Sequence, residues 1–317
     1  AVNRWPYLSM RSQPFQSLKK RTYFIGTAFT ATYLSASIIL WEAWYKDIGI
    51  SRFHFFNDWK GWERMDKYGH LFTAYNESNW SMQGLQWAGV NRRKAMWIGA
   101  AIGTGLQLTI EVMDGFGEDW GFSVSDVAFN TLGVGLFVGQ ELLWEEQRIT
   151  FKVSSNARSY PDLPVYSRDG QHSITISERA ADLFGESYTE RFLKDYNAQT
   201  LWASFNIHSF LPPGHRRFPK WLNVAVGYGA ENMFEGDDDR YGWSSLSANG
   251  TPIEFDRDPT VLPRYQQFYL SLDVDLRRIP TKSPFLKTVF NILNFIKIPA
   301  PALELNTQGQ FRAHWIR

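Results

Sequence analysis

Cysteine is absent from the 317 residues. That excludes a disulfide framework, a thiol nucleophile, a Cys-based zinc site and a Cys-ligated iron–sulfur cluster. It also excludes a lipid anchor on a cysteine within the chain as given. Net charge is nearly absent as well: 33 Lys and Arg stand against 32 Asp and Glu, a balance of +1. No nucleic acid is therefore expected as a partner through bulk positive charge. The chain lacks G-x-S-x-G, a Walker loop and a G-x-G-x-x-G sequence after a strand, so the commonest enzyme signatures are silent. What is plentiful is aromatic: 24 Phe, 14 Tyr and 14 Trp make up 16% of the residues. Rings with a polar edge favour interfaces, including the membrane–water boundary. The length predicts about two domains.

Residues 1–21 form a basic N-terminal arm, with Arg4, Arg11, Lys19, Lys20 and Arg21, two prolines and no acid. They do not look like a leader. Residues 22–41 run uncharged for the length of a membrane span. Their Thr, Ser and Ala lower the hydropathy, and a buried core helix is the competing reading. Helical segments are expected at about 22–45, 66–90, 92–113 and 124–145. The third and fourth are uncharged over 95–110 and 127–140, with small residues spaced as Gly99, Gly103 and Gly105, which let helices approach closely. Basic clusters precede the first helix and the third (Arg92, Arg93, Lys94), and Asp114, Glu118 and Asp119 lie between the third and fourth. An up-down-up-down order puts both basic clusters at one end.

A domain boundary is expected near 150–170, and 151–198 reads as a connecting segment with one modest helix over 177–195. Beyond it the apolar period changes from 3.6 to 2. Leu201, Ala203, Phe205 and Ile207 alternate with polar neighbours, as do Leu222, Val224, Val226 and Tyr228. Leu270, Leu272 and Val274 follow the same rule, and so do Leu303, Leu305, Phe311 and Trp315. Such strands suit a half-buried antiparallel sheet or outer-membrane strands. Segment 284–298 reads as an amphipathic helix that lies on a membrane or covers the sheet. The expected class is α+β: an antiparallel four-helix bundle over 22–150, open to membrane association, then an antiparallel β domain over 199–317 with about four long strands.

The chemistry gathers at helix ends. Asp66 and His70 are four apart and share a face. Glu111 and Asp114 close the third helix, and Asp126 and Asn130 open the fourth. In an antiparallel bundle these three sites fall at one end. Four carboxylates close together raise one another's pKa unless a cation or Lys67 compensates, which makes the cluster a candidate for acid–base chemistry or a divalent cation. The bland alternative is capping. Asp66 can cap the second helix, and Ser123 to Asp126 has the form of a capping box. No other cofactor is expected. Glu235 to Arg240 is an acidic loop without EF-hand spacing, and His208, His215 and His314 have no metal-ligand spacing.

The runs Phe55 to Asp58, Met65 to His70, Glu111 to Phe116 and Trp120 to Asp126, with Asn130, Gly133 and Gln140, resemble the YfiM-like group. These are predicted periplasmic or outer-membrane proteins of unknown function, frequent in Bacteroidetes-type bacteria. Lys194 to Trp202, Trp221 to Ala230, Leu270 to Asp275 and Ile298 to Glu304 look like the longer members. More distantly, Asp66-Lys67 with His70, then Asp126, Asn130 and Gly133, look like VanZ-type membrane proteins. The resemblance implies a location in the cell envelope, outer membrane or periplasm, with the inner membrane as the alternative. Some relatives are described as lipoproteins, whereas this chain has no cysteine to acylate. Such proteins carry a signal peptide, which implies that Ala1 is near a mature N-terminus. Two functions follow as expectations. One is a non-enzymatic accessory or structural subunit, with other envelope or outer-membrane proteins and membrane lipid as partners. The other is a membrane-associated enzyme or binding protein for a lipid-linked or cell-wall substrate, using Asp66, His70, Glu111, Asp114, Asp126 and Asn130.

Overall fold

The computed structural model describes residues 15–45, 49–156, 158–212, 218–236, 241–247 and 249–317. Arg4, Arg11, His215 and most of the acidic loop (237–240) lie outside the described residues. The chain is α+β and divides by its internal contacts into two compact units: 1–57 with 70–147, and 58–69 with 148–317.

The first unit is helical: α1 (Phe15–Leu40), α2 (Met65–Trp87), α3 (Arg92–Asp114) and α4 (Val124–Trp144). The first turn of α2 belongs to the second unit. Asn91 caps α3 by accepting from the Arg93 amide, and Ser123 caps α4 by accepting from the Asp126 amide. The uncharged runs make α1, α3 and α4 long and apolar enough to cross a membrane. Their apolar side chains point outward: Tyr23, Phe24, Leu34, Ile38, Trp97, Leu108, Val112, Leu132, Leu142 and Leu143 are exposed. The inward stripes are small or polar, with Gly99, Gly103, Gln107 and Glu111 on α3 and Asp126, Asn130, Gly133, Gln140 and Glu141 on α4. They face α2, the most polar of the four, which buries Asn76, Ser78, Asn79 and Ser81. Close approach is built into two glycines. A Cβ on Gly103 would sit 2.3 Å from Ser78 Oγ, and one on Gly133 would sit 2.4 Å from the Leu71 carbonyl oxygen. Midway along α2, Tyr75 donates to Gln147 Oε1 at 3.0 Å, as Gln140 of α4 does at 2.9 Å, and Arg92 at the start of α3 pairs with Glu141 of α4 at 2.5 Å.

The second unit holds a six-stranded antiparallel sheet in the order β1-β4-β5-β8-β9-β10. Its strands are β1 (Ile149–Ser155), β4 (Gln199–Asn206), β5 (Leu222–Glu231), β8 (Tyr265–Val274), β9 (Ala302–Asn306) and β10 (Phe311–His314). The expected fourth strand is thus two, split by a turn in which Gly309 takes a positive φ of 76°. β1 was hidden in the supposed connecting segment. The expected helix over 177–195 is also two, α5 (Ile176–Phe184) and α6 (Tyr188–Lys194), each opened by a capping box. The amphipathic helix is shorter than read, α8 (Pro284–Leu293), and the one-turn α7 (Ile207–Phe210) follows β4. The small sheets β2–β3 (Pro164–Tyr166, Ser173–Thr175) and β6–β7 (Gly242–Leu246, Pro252–Asp256) enclose a satellite core of Val165, Ile176, Phe184, Phe234, Trp243 and Phe255.

The six-stranded sheet inverts the usual polarity. Its apolar parity lies in register across all six strands, as Phe151–Ala203–Val226–Leu270–Leu303–Ala313. Val226, Phe268, Leu270, Leu272, Leu303 and Leu305 on that face are exposed. The opposite parity is polar and buried, with Lys152, Thr200, Ser204, Asn206, Asn223, Asp273 and Glu304 at 1% exposure or less. Buried polar groups are tolerated only when bonded to one another, and these are. Lys152 pairs with Asp273 at 2.8 Å, Ser204 donates to Asp273 at 2.6 Å, and Asn223 donates to Ser204 at 2.8 Å. Lys297 lies over the Trp202 ring at 4.6 Å and fills the same space.

Candidate functional site

His70 stands on α2 where the polar stripes of α3 and α4 meet it. Its Nδ1 lies 3.4 Å from Glu111 Oε1, 3.3 Å from Gln107 Oε1 and 3.2 Å from Asn130 Oδ1. All three oxygens about Nδ1 can accept, so a neutral ring protonated at Nδ1 fits this side of the site. Nε2 lies 3.8 Å from Asp126 Oδ2, longer than a direct hydrogen bond. The imidazole therefore has a carboxylate on each side. Glu111 is fully buried, and the side chains of Asp126 and His70 are 6% and 14% exposed. Asn130 donates to Glu111 Oε1 at 3.4 Å, and Gln107 donates to Glu77 Oε2 at 2.9 Å.

Of the six side chains singled out in the sequence, His70, Glu111, Asp126 and Asn130 are in mutual reach. Asp114 is engaged by the Tyr45 hydroxyl, one turn beyond Glu111. Asp66 is one turn ahead of His70 on the continuous helix α2. Its carboxylate accepts from the Tyr196 hydroxyl at 2.9 Å and from Lys67 at 3.3 Å. Lys67, fully buried, also pairs with Asp58 at 2.7 Å. Ser123 performs the capping that the sequence allowed for, while the Asp126 carboxylate turns to His70.

Sequence reasoning missed Gln107, Glu77 and Tyr45. Gln107 was the one polar residue in the run Ala95 to Ile110 that falls on the inward stripe beside Gly103 and Glu111, and that spacing was the available signal. Glu235, read as part of a solvated loop, is buried between Arg257 and Arg264 at 3.0 and 2.5 Å. His314 pairs with Glu304 across β9 and β10 at 2.6 Å.

Residues 55–139, which carry His70, Gln107, Glu111, Asp126 and Asn130, match the DUF2279 family, described as predicted periplasmic lipoprotein. The match supports a cell-envelope, periplasmic address, and the description of the matched family names no activity. No curated protein matches the chain, and no solved structure does.

Proposed function

We propose that this is a membrane-associated protein of the cell envelope that binds or processes a lipid-linked or cell-wall substrate at the His70 centre. One observation carries the reading: an imidazole held between two buried carboxylates inside helices whose apolar sides face outward. Glu111 fixes the ring through Nδ1, and Nε2, turned to Asp126, is the atom that gives and takes a proton. Asn130 and Gln107 hold the ring and Glu111 in place. In this reading α1 to α4 form an antiparallel bundle in lipid, with outward Leu and Trp side chains against acyl chains and the polar stripes inside. Intramembrane ionisable groups mark functional sites by default, because their desolvation is costly. The likeness of Asp66, His70, Asp126, Asn130 and Gly133 to the VanZ type points the same way.

The test is native mass spectrometry of the full chain purified in mild detergent. A co-purifying lipid-linked or glycan mass is expected, lost in His70→Ala, Glu111→Gln and Asp126→Asn while melting temperatures hold. Retention of that mass in all three variants overturns the reading.

A second reading is the accessory subunit, with envelope or outer-membrane proteins as partners. It is favoured by β10, an edge strand of only four residues whose outer backbone groups suit pairing with another chain. Stoichiometric companions in the same preparation, unaffected by the three substitutions, would favour it.

A further inference from the structure

The second unit carries an apolar surface that the His70 reading does not use. Three register-matched apolar rows share one parity of the sheet. One runs Val153–Leu201–Tyr228–Phe268–Leu305–Phe311, the next Phe151–Ala203–Val226–Leu270–Leu303–Ala313, and the third Ile149–Phe205–Val224–Leu272. Val153 and Leu201 are buried and Tyr228 packs on Tyr68, so the exposed part is Val226, Phe268, Leu270, Leu272, Leu303, Leu305 and Phe311. No charge interrupts them. Ile296, bridged to Val153 and exposed, extends the first row towards α8, where Phe285, Leu286, Ile292 and Leu293 are exposed in turn. The sheet needs no further cover on its other side, because its inward parity is already buried against its own polar network.

At the end of the strands where Leu222 pairs with Val274, the surface turns basic. Lys220 and Lys282 are exposed and Arg277 and Arg278 are partly so, while the nearby acid Asp275 is buried between the two arginines. Trp221 and Phe210, both exposed, sit at that same end. A charge-free apolar face bordered by aromatic rings and cations matches a bilayer of anionic lipid: acyl chains under the face, phosphates at the basic border. A spanning barrel is a poorer fit. β9 and β10 have 5 and 4 residues, below the roughly 9–11 that a spanning strand needs. The edge of β10 requires water or a partner that hydrocarbon does not offer.

We infer that the outward face of the six-stranded sheet, together with α8, docks on the surface of an anionic phospholipid bilayer, with Lys220, Arg277, Arg278 and Lys282 at the headgroups. The docking is separate from the helical site and fails or holds independently of it.

The absence of cysteine makes the test clean. Leu270→Cys, Leu303→Cys and the loop control Gln171→Cys are each made in the full chain and labelled with an environment-sensitive fluorophore. Each is mixed with vesicles of phosphatidylcholine, with or without phosphatidylglycerol, containing acyl-chain nitroxides. Labels at 270 and 303 are expected to be quenched at least about twofold more than at 171, with the excess greater when phosphatidylglycerol is present. Lys220→Glu with Lys282→Glu is expected to remove that phosphatidylglycerol dependence. Equal quenching at all three positions overturns the proposal. So does quenching between labels on two copies without lipid quenching, which would make the face a self-association surface. A label at Leu142→Cys separates the outcomes: quenched there and not at 270, the helices are in lipid and the sheet is not.

Discussion

Glu235 is held between two guanidinium groups in a site that water does not reach. Its Oε1 lies 3.0 Å from Arg257 Nη2 and 2.5 Å from Arg264 Nη2, and all three side chains are at most 4% exposed. Removing one member of such a cluster leaves buried charge uncompensated, so Glu235→Ala should cost about 3–5 kcal/mol, read as a fall in the urea midpoint. An unchanged midpoint would mean that water reaches the arginines. Asp275 gives a pH signature. Burial alone would raise its pKa, but Arg277, through charge and hydrogen bonds, Arg278 and Lys152 outweigh that and hold it down to about 2. A depressed folded value contributes stability that is present above the unfolded value near 4 and lost as pH falls through 2. Wild type should therefore lose on the order of 2 kcal/mol over that window that Asp275→Asn does not lose, measured by urea unfolding at several acid pH values. Parallel curves for the two proteins would refute the assignment.

Elements are where the sequence was most and least legible. The uncharged runs and the paired Gly spacing gave α3 and α4 nearly to the residue, because length and charge absence act locally. That His70, Glu111, Asp126 and Asn130 lie near one another was legible because helix-end pairs carry a spacing. Gln107 was not, because one polar residue in an apolar run is equally a surface residue. The strand alternation was legible as a period, but a period of two does not say which parity is inside. That direction is set by long-range pairs such as Lys152 with Asp273, invisible in a local window. β2, β3, β6 and β7 have 3–5 residues, too short for a periodic signal. The glycine spacing can now be divided by consequence. Gly133→Ala drives a methyl into an immovable carbonyl and should destabilise by about 1–3 kcal/mol. Gly105 faces open space, so Gly105→Ala should be neutral or slightly stabilising through helix propensity. Equal thermal shifts for the two variants would break the claim that α2 is held by close approach. A different strain precedes α2: Trp62, Glu63 and Arg64 all have positive φ, at 52°, 50° and 63°. For side chains other than Gly this costs roughly 1–2 kcal/mol per residue. The turn is held by the Tyr228 hydroxyl on the Glu63 carbonyl and by Gln266 on the Glu63 carboxylate at 2.9 Å.

For the molecule as a whole, the same inversion occurs twice by unrelated means. In the helices it follows from polar stripes at 3.6-residue spacing, and in the sheet from a polar parity at spacing two. A chain with 44% apolar residues and a net charge of +1 has little electrostatic repulsion to keep two such surfaces apart in water. The full chain should therefore aggregate in detergent-free buffer and run as a discrete species in mild detergent, as measured by light scattering coupled to size exclusion. The two surfaces can be blamed separately. Leu132→Glu with Leu142→Glu removes apolar character from α4, and Leu270→Glu with Leu303→Glu removes it from the sheet. If both faces meet lipid, neither pair alone makes the chain soluble, whereas the four substitutions together do so or unfold it. Circular dichroism tells those last two apart. A monodisperse wild-type monomer without detergent would show that the outward apolar faces are covered within the molecule itself, and both the helical and the sheet readings would fall with it.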